Sequence, residues 1–123
     1  MSPSLRNIIA WILQALLAAM FIYGGGQKLL NLDGTMTMFG SMGMPGWLGG
    51  FIGAAELLGG IGLLVPRTVR PAAMGLLIIM VGAVFMHATK IPGGLAKGGP
   101  AIVALVLLIV VLVLRRRPAV RAV

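Results

Sequence analysis

Three ionisable side chains, Lys28, Glu56 and His87, lie in or at the ends of long apolar segments. Glu56 is one of only two acids in the chain and lies inside the apolar segment 47–65. A carboxylate near the centre of a membrane span costs about 2.5–3.5 kcal/mol on insertion scales, so a partner must offset that cost. Lys28 is the cation that the predicted helix order brings nearest, and we predict that it pairs with Glu56.

Further polar residues are expected to border this pair. Gln27 and Tyr23 precede Lys28 on the same predicted helix, and a buried ion pair needs additional hydrogen bonds to offset its desolvation. His87 lies near the end of the third apolar segment, where it could donate or accept a hydrogen bond. We therefore predict a ligand-binding site formed by Tyr23, Gln27, Lys28, Glu56 and His87. Two simpler interpretations stay open, a structural glutamate that joins helices and an interfacial histidine.

The helix that carries Glu56 is predicted to bury a face lined by glycine. Gly49, Gly53, Glu56 and Gly60 follow one another at intervals of three or four residues, which places them on one face of an α-helix. Glycines on such a face allow neighbouring helices to approach closely. Glu56 is therefore expected to point into a bundle of helices and away from lipid.

The composition of the chain is that of an integral membrane protein. Of its 123 residues, 59% are hydrophobic and only 10% are charged, which is too apolar for a soluble domain of this size. The formal net charge is +8, but no basic run is interleaved with aromatic residues, and we exclude a nucleic-acid partner. The sequence contains no cysteine, which excludes disulfides and cysteine-ligated metal centres.

We predict an all-α, polytopic membrane protein built as a four-transmembrane-helix bundle. A single domain covers residues 1–123, and its spans are predicted at about 8–28, 47–65, 72–88 and 100–114, since a span needs about 20 apolar residues. The first helix either ends at the glycines 24–26 or continues to Leu30. The last span is short, so Arg115 is expected to extend toward water.

The connection 31–46 is apolar and rich in methionine. It is too short to cross a bilayer, so we expect it to lie along the membrane surface or to fold over the mouth of the bundle. Met36, Met38, Met42 and Met44 form two Met-x-Met pairs, which resemble thioether sites for Cu(I). Because methionine is also an adaptable hydrophobic residue, we favour a hydrophobic lid over a copper site.

The basic residues are distributed unequally between the two sides of the predicted bundle. With four spans, both termini and the second connection share a side, which holds Arg6, Arg67, Arg70, Arg115, Arg116, Arg117 and Arg121. The other side holds Lys28, Lys90 and Lys97. Short connections rich in Lys and Arg stay in the cytoplasm. We therefore predict a multi-pass protein of the inner or plasma membrane with both termini cytoplasmic.

The polar residues do not match a known catalytic or metal-binding motif. The sequence has no Ser-His-Asp arrangement and no phosphate-binding loop, and a single histidine with methionines is a thin basis for haem ligation. A small pocket that holds a cation, a carboxylate and an imidazole instead suits hydrogen bonding to a quinone-like molecule or to a lipid head group. We therefore assign no catalytic residues and no metal, and a bound quinone or lipid is the candidate cofactor.

Most of the chain, from about residue 8 to residue 114, resembles the DoxX/DoxX-like family of membrane proteins. The resemblance rests on Gly26-Gln27-Lys28-Leu29, on the segment from Glu56 to Leu64 and on the segment from Ala83 to His87. It implies a compact four-helix membrane bundle and carries over the positions Lys28, Glu56 and His87. Some members are small subunits of thiosulfate:quinone oxidoreductase, others are accessory proteins of membrane oxidoreductase assemblies tied to oxidative stress, and distant relatives assist receptor assembly.

The residues and the resemblance leave three functional hypotheses open. We favour a non-catalytic accessory subunit of a membrane redox assembly that contacts a quinone or a lipid. Its expected partners are membrane lipids, proteins of an oxidoreductase complex and a second copy of the chain. The first alternative is a carrier for a small molecule or a proton that uses Glu56 as its titrating group. The second is a membrane scaffold or assembly factor in which Glu56 holds helices together.

Overall fold

The computed structural model describes residues 2–91 and 93–116 as an all-α protein. In chain order the elements are α1 (Pro3–Leu30), α2 (Leu32–Ser41), α3 (Gly46–Gly62), α4 (Val69–Thr89), a 3-10 helix (Gly94–Gly98) and α5 (Gly99–Leu114). These described residues contain no β-strand. The all-α fold predicted from the sequence is confirmed.

Three helical segments are long and apolar enough to cross a membrane, namely α1, α4 and the segment Gly94–Leu114. Helix α3 has 17 residues, which at 1.5 Å per residue amounts to about 26 Å, slightly less than a hydrocarbon core of about 30 Å. The predicted count of four helices is not confirmed, because five α-helices form in the described part of the chain. The additional helix is α2, which lies within the methionine-rich connection.

Helix α1 continues through the glycines at 24–26, so the longer of its two predicted forms is the one adopted. The hydroxyl of Ser2 accepts a hydrogen bond from the N–H of Leu5 at 3.1 Å and caps the helix. Pro3 suits the first helical position, where an N–H would have no partner within the helix. The three glycines do not end the helix because α3 packs against this part of α1.

A tight corner at Asn31 joins α1 to α2. Its side-chain oxygen accepts a hydrogen bond from the N–H of Gly34 at 3.3 Å and caps the start of α2. Thr35 Oγ1 donates to the carbonyl oxygens of Asn31 at 2.9 Å and of Lys28 at 3.1 Å. The corner therefore holds α2 directly beside the last turn of α1, where Lys28 lies.

The glycine-lined face of α3 is present as predicted. The buried residues of α3 are Gly49, Gly53, Glu56 and Gly60. A methyl group on Gly25 of α1 would lie 2.5 Å from the carbonyl oxygen of Gly53 and 2.6 Å from the backbone nitrogen of Leu57. No real side chain fits such a space, so glycine is what allows the two backbones to touch. Glu56 consequently lies in the seam between α1 and α3.

The apolar core lies between α1, α4 and α5. Its buried members are Leu17, Ala18, Phe21, Leu63, Val69, Ala73, Leu76, Met80, Ala101, Ala104, Leu108 and Val111. Many large apolar side chains on the outer surface are exposed instead, among them Ile12, Leu58, Ile78 and Phe85. An apolar core together with an apolar exterior is what a protein surrounded by lipid requires.

Of the arginines that were predicted to share one side, Arg6, Arg70 and Arg115 lie at one end of the bundle. Arg6 and Arg115 line the same cavity, and Arg70 Nη1 donates to the carbonyl oxygen of Leu112 at 3.0 Å near the end of α5. Arg117 and Arg121 lie outside the described residues. Lys28 and Glu56 lie toward the opposite end, where α1 meets α2.

Candidate functional site

The site begins with an ion pair between α1 and α3. Lys28 Nζ lies 2.8 Å from Glu56 Oε1, and the side chains are 27% and 7% exposed, respectively. Gly53 precedes Glu56 by one turn, and a methyl group there would lie 2.8 Å from Cβ of Lys28. The absence of a side chain at Gly53 therefore brings α3 close enough for the two charges to meet, and the predicted pairing is present.

Glu56 is nevertheless not fully hydrogen-bonded. Apart from the ammonium of Lys28 at 2.8 Å, no described group donates a hydrogen bond to this buried oxygen. Buried polar atoms without a hydrogen bond are uncommon and carry a desolvation cost. A molecule that brings a hydrogen-bond donor to Oε1 would be bound favourably here.

A cavity of about 530 Å³ opens beside the ion pair. Lys28, Glu56 and His87 supply its polar lining. The apolar lining comes from Met38, Phe39, Met42, Met44, Leu48, Ile52, Ile78, Ile79, Met80, Gly82, Ala83, Phe85, Met86 and Ile91. Concave apolar sites with a few polar groups are typical of small-molecule binding.

His87 borders the cavity from α4. Its Nδ1 lies 2.8 Å from the carbonyl oxygen of Ala83. Because a carbonyl oxygen can only accept, Nδ1 carries the proton of that hydrogen bond, and when the ring is neutral Nε2 is left as an acceptor. The three polar residues together offer an ammonium donor, an imidazole acceptor and a carboxylate oxygen to a molecule in the cavity.

Tyr23 and Gln27 do not join this site. The side chain of Tyr23 is 70% exposed, Gln27 is exposed as well, and neither lines the cavity. Neither residue hydrogen-bonds to the Lys28–Glu56 pair, which corrects the expectation from the sequence. The reason is helical rotation: successive residues turn by about 100°, so the face that carries Gly25 and Lys28 leaves Tyr23 and Gln27 outside it.

Methionines form a large part of the cavity wall. Met38 on α2 and Met42 and Met44 after it line the cavity, whereas Met36 does not and is 40% exposed. Met80 and Met86 of α4 add to the wall, and no sequence pattern indicated their role. Since only three of the four loop methionines face the cavity, among aliphatic and aromatic neighbours, the arrangement favours a hydrophobic lid. Within 2–91 and 93–116, no group of three His, Cys, Asp or Glu residues could hold a metal ion.

A second polar cluster, at the other end of the bundle, was not predicted. The buried Gln14 donates from Nε2 to the carbonyl oxygen of Leu63 at 2.7 Å. Its Oε1 accepts from Nε of Arg115 at 2.7 Å, and Nη1 of Arg115 donates to Oδ1 of Asn7 at 2.9 Å. Arg115 thus reaches toward α1, whereas the sequence indicated that it would extend toward water. The polar Gln14 inside an apolar span was the available signal.

Comparison with known proteins places these features in a family. "Putative oxidoreductase CatD" of Bacillus subtilis (strain 168) is 27% identical to the chain over 81 residues, which are 66% of this chain and 60% of CatD. The match thus spans less than two thirds of that relative's length. No solved structure matches the chain significantly. The model of the DoxX-like family matches residues 12–114, a range that contains the ion pair, the cavity and four of the five α-helices in full. The chain therefore belongs to the DoxX-like family of membrane proteins.

Proposed function

We propose that this protein is an accessory subunit of a membrane redox assembly and that it binds a quinone-like molecule in the cavity beside Lys28 and Glu56. The observation that carries the proposal is the make-up of the cavity wall. Apolar side chains enclose about 530 Å³, and Lys28, Glu56 and His87 are its polar groups. An amphipathic molecule with a flat or flexible apolar body and a small polar head has the matching chemistry.

The polar groups complement both redox forms of a quinone. The ammonium of Lys28 can donate a hydrogen bond to a quinone carbonyl oxygen. Oε1 of Glu56 and Nε2 of His87 can accept from the hydroxyl groups of the reduced quinol. A lipid head group shares part of this chemistry, so lipid is the competing occupant that the experiment has to distinguish.

The proposed redox role is based on the relatives of this chain. CatD is named as an oxidoreductase, and the DoxX-like family resemblance implies members that work within quinone-linked assemblies. Since the sequence contains no cysteine, we assign this chain the role of holding an electron carrier for a partner protein. Electron transfer through thiols within this chain is excluded.

The same proposal includes an arrangement in the membrane. Helix α3, extended by its apolar flanks, serves as the fourth span and completes a four-span bundle in the inner or plasma membrane. The arginine-rich end, where α1 begins and α5 ends, faces the cytoplasm, in keeping with the preference of short basic segments for that side. The cavity then opens in the outer half of the bilayer.

The experiment starts with the protein extracted in native lipid discs, followed by mass spectrometry of the bound small molecules. Decylubiquinone is then titrated into the purified protein. Gly82→Leu places a side chain at the cavity wall, where a Cβ meets no other atom within 4 Å. Gly75→Leu makes the same change on the same helix, at a position with equal space that does not line the cavity. We expect Gly82→Leu to weaken decylubiquinone binding and Gly75→Leu to leave it unchanged.

A second pair of variants tests the polar head of the site. Glu56→Gln removes the buried carboxylate, and Asp33→Asn removes the other acid of the chain, which is exposed in the first turn of α2. Binding should weaken in Glu56→Gln alone. Equal decylubiquinone binding in all four variants would contradict the proposal. Proton flux in liposomes that depends on Glu56 would favour the carrier, and loss of stability without any ligand binding would favour the scaffold.

A further inference from the structure

The end of the bundle remote from the Lys28–Glu56 cavity holds a fixed cation. The guanidinium of Arg115 donates from Nε to Gln14 Oε1 at 2.7 Å and from Nη1 to Asn7 Oδ1 at 2.9 Å. Its carbon lies 5.5 Å from the ring centroid of Trp11, within the range of a cation–π contact. A guanidinium has five N–H donors, so these contacts hold the group in place and leave several of its donors available.

A second arginine faces the same space. Arg6 and Arg115, together with Pro3 and Asn7, line a cavity of about 430 Å³ between the start of α1 and the end of α5. Arg6 forms no hydrogen bond or ion pair through its side chain with any residue of 2–91 or 93–116. The two guanidinium groups therefore reach one open cavity from different helices.

No carboxylate side chain is close enough to neutralise these cations. The sequence contains only two acidic residues, Asp33 and Glu56. Helix α1 runs about 35 Å along its axis from Asn7 to Leu30, and Asp33 lies beyond that end, in the first turn of α2. Glu56 is already paired with Lys28. The oxygens that hold Arg115 belong to neutral amides, which orient the charge without cancelling it. The cavity therefore has a strongly positive lining and suits an anion.

We propose that this cavity, defined by Pro3, Arg6, Asn7 and Arg115, binds a phosphate group. Arginine matches phosphate oxygens with paired N–H donors and tolerates partial burial better than lysine. The cavity lies at the end of the helices that are long enough to span a membrane, where lipid phosphates are concentrated. An anionic lipid head group and a soluble phosphate share this chemistry, and the site is separate from the quinone site proposed above.

The test measures thermal unfolding of the detergent-purified protein as a ligand is titrated. The probes are phosphatidylglycerol, zwitterionic phosphatidylcholine and inorganic phosphate against chloride at matched ionic strength. A ligand that binds only the folded state raises the unfolding midpoint as its concentration increases. We expect phosphatidylglycerol to stabilise the protein more than phosphatidylcholine. A response to inorganic phosphate as well would identify the phosphate group itself as the recognised element, and its absence would identify the lipid.

Two charge-matched variants give the decisive comparison. Arg6→Gln removes a cation that lines the cavity and makes no internal hydrogen bond, and Arg67→Gln removes an exposed cation at the same end outside the cavity. Removal of one basic residue at a lipid head group should weaken binding about fivefold, and only in Arg6→Gln. Arg115→Lys, which keeps the charge but loses the paired donors, should weaken binding too. Equal affinities of Arg6→Gln and Arg67→Gln, or equal responses to the two lipids, would overturn the proposal.

Discussion

The ammonium of Lys28 and the carboxylate of Glu56 meet at 2.8 Å between Nζ and Oε1, in the seam where α1 and α3 touch through glycine. The pair lies in the wall of the apolar cavity of about 530 Å³, so the same contact joins two helices and presents charge to a potential ligand. Structural and binding roles therefore have to be separated by experiment.

A double-mutant cycle on Lys28 and Glu56 separates them. Glu56→Gln and Lys28→Met should each destabilise the protein, toward the lower end of the roughly 3–5 kcal/mol typical of a broken buried pair, because Lys28 is partly exposed. The double variant should recover part of the stability but not the binding of decylubiquinone. Thermal unfolding and ligand titration measure the two effects.

Two results would contradict the expected outcome of this cycle. If the stability losses of the single variants add in the double variant, the two residues are not coupled, and the pair does not act as a unit. If the double variant regains both stability and binding, the pair only joins the helices.

Because α1 and α3 are in close contact, we predict that the effect of an added methyl group on stability depends strongly on its position. Gly25→Ala would place Cβ 2.5 Å from the carbonyl oxygen of Gly53, and overpacking of this kind costs about 1–3 kcal/mol. At Gly24 a Cβ meets nothing within 4 Å, so Gly24→Ala should be neutral or stabilising by up to about 1 kcal/mol through helix propensity. Unfolding midpoints of the two neighbouring variants test this, and equal midpoints would refute the close contact.

The buried Gln14 is predicted to stabilise the arginine-rich end. Gln14→Leu leaves the carbonyl oxygen of Leu63 and the guanidinium of Arg115 without their partner, at a cost of about 1–3 kcal/mol. Gln27→Leu makes the same exchange on the same helix at an exposed position and should change stability little. Chemical or thermal unfolding of both variants provides the measurement, and a loss of equal size in Gln27→Leu would show that the network contributes nothing.

Exchange of the lid methionines tests whether they act only as hydrophobic residues. A triple variant with leucine at Met38, Met42 and Met44 conserves volume, and such swaps usually cost less than about 1.5 kcal/mol each. Fold and decylubiquinone binding should therefore persist. Competition with a Cu(I) chelator, measured on the native chain and on the variant, serves as the control. Cu(I) binding that the exchange abolishes would contradict the hydrophobic role.

The orientation in the membrane can be read with single cysteines, because the sequence has none of its own. Ser4 and Ala96 are exposed at opposite ends of the bundle. In intact cells, an impermeant thiol reagent should modify Ala96→Cys and spare Ser4→Cys until the membrane is permeabilised. The reverse labelling pattern would place the arginine-rich end outside.

Local sequence was enough to predict the class of the protein and its most unusual contact. Apolar segments close to the length of a bilayer predict membrane-spanning helices irrespective of how they pack. The spacing of Gly49, Gly53, Glu56 and Gly60 marks one helix face without knowledge of the neighbouring helix. Lys28 followed as the partner of Glu56 because the chain offers few cations near that end.

The features of the fold and the site that the sequence did not predict depend on packing between segments far apart in the chain. The exclusion of Tyr23 and Gln27 and the inward reach of Arg115 depend on how each helix is rotated about its axis. That rotation is set by contacts between residues far apart in the chain, such as Gly25 with Gly53 or Gln14 with Arg115. A pattern within one helix shows which residues share a face, but only the assembled bundle determines what that face meets, because interhelical packing is a property of both surfaces together.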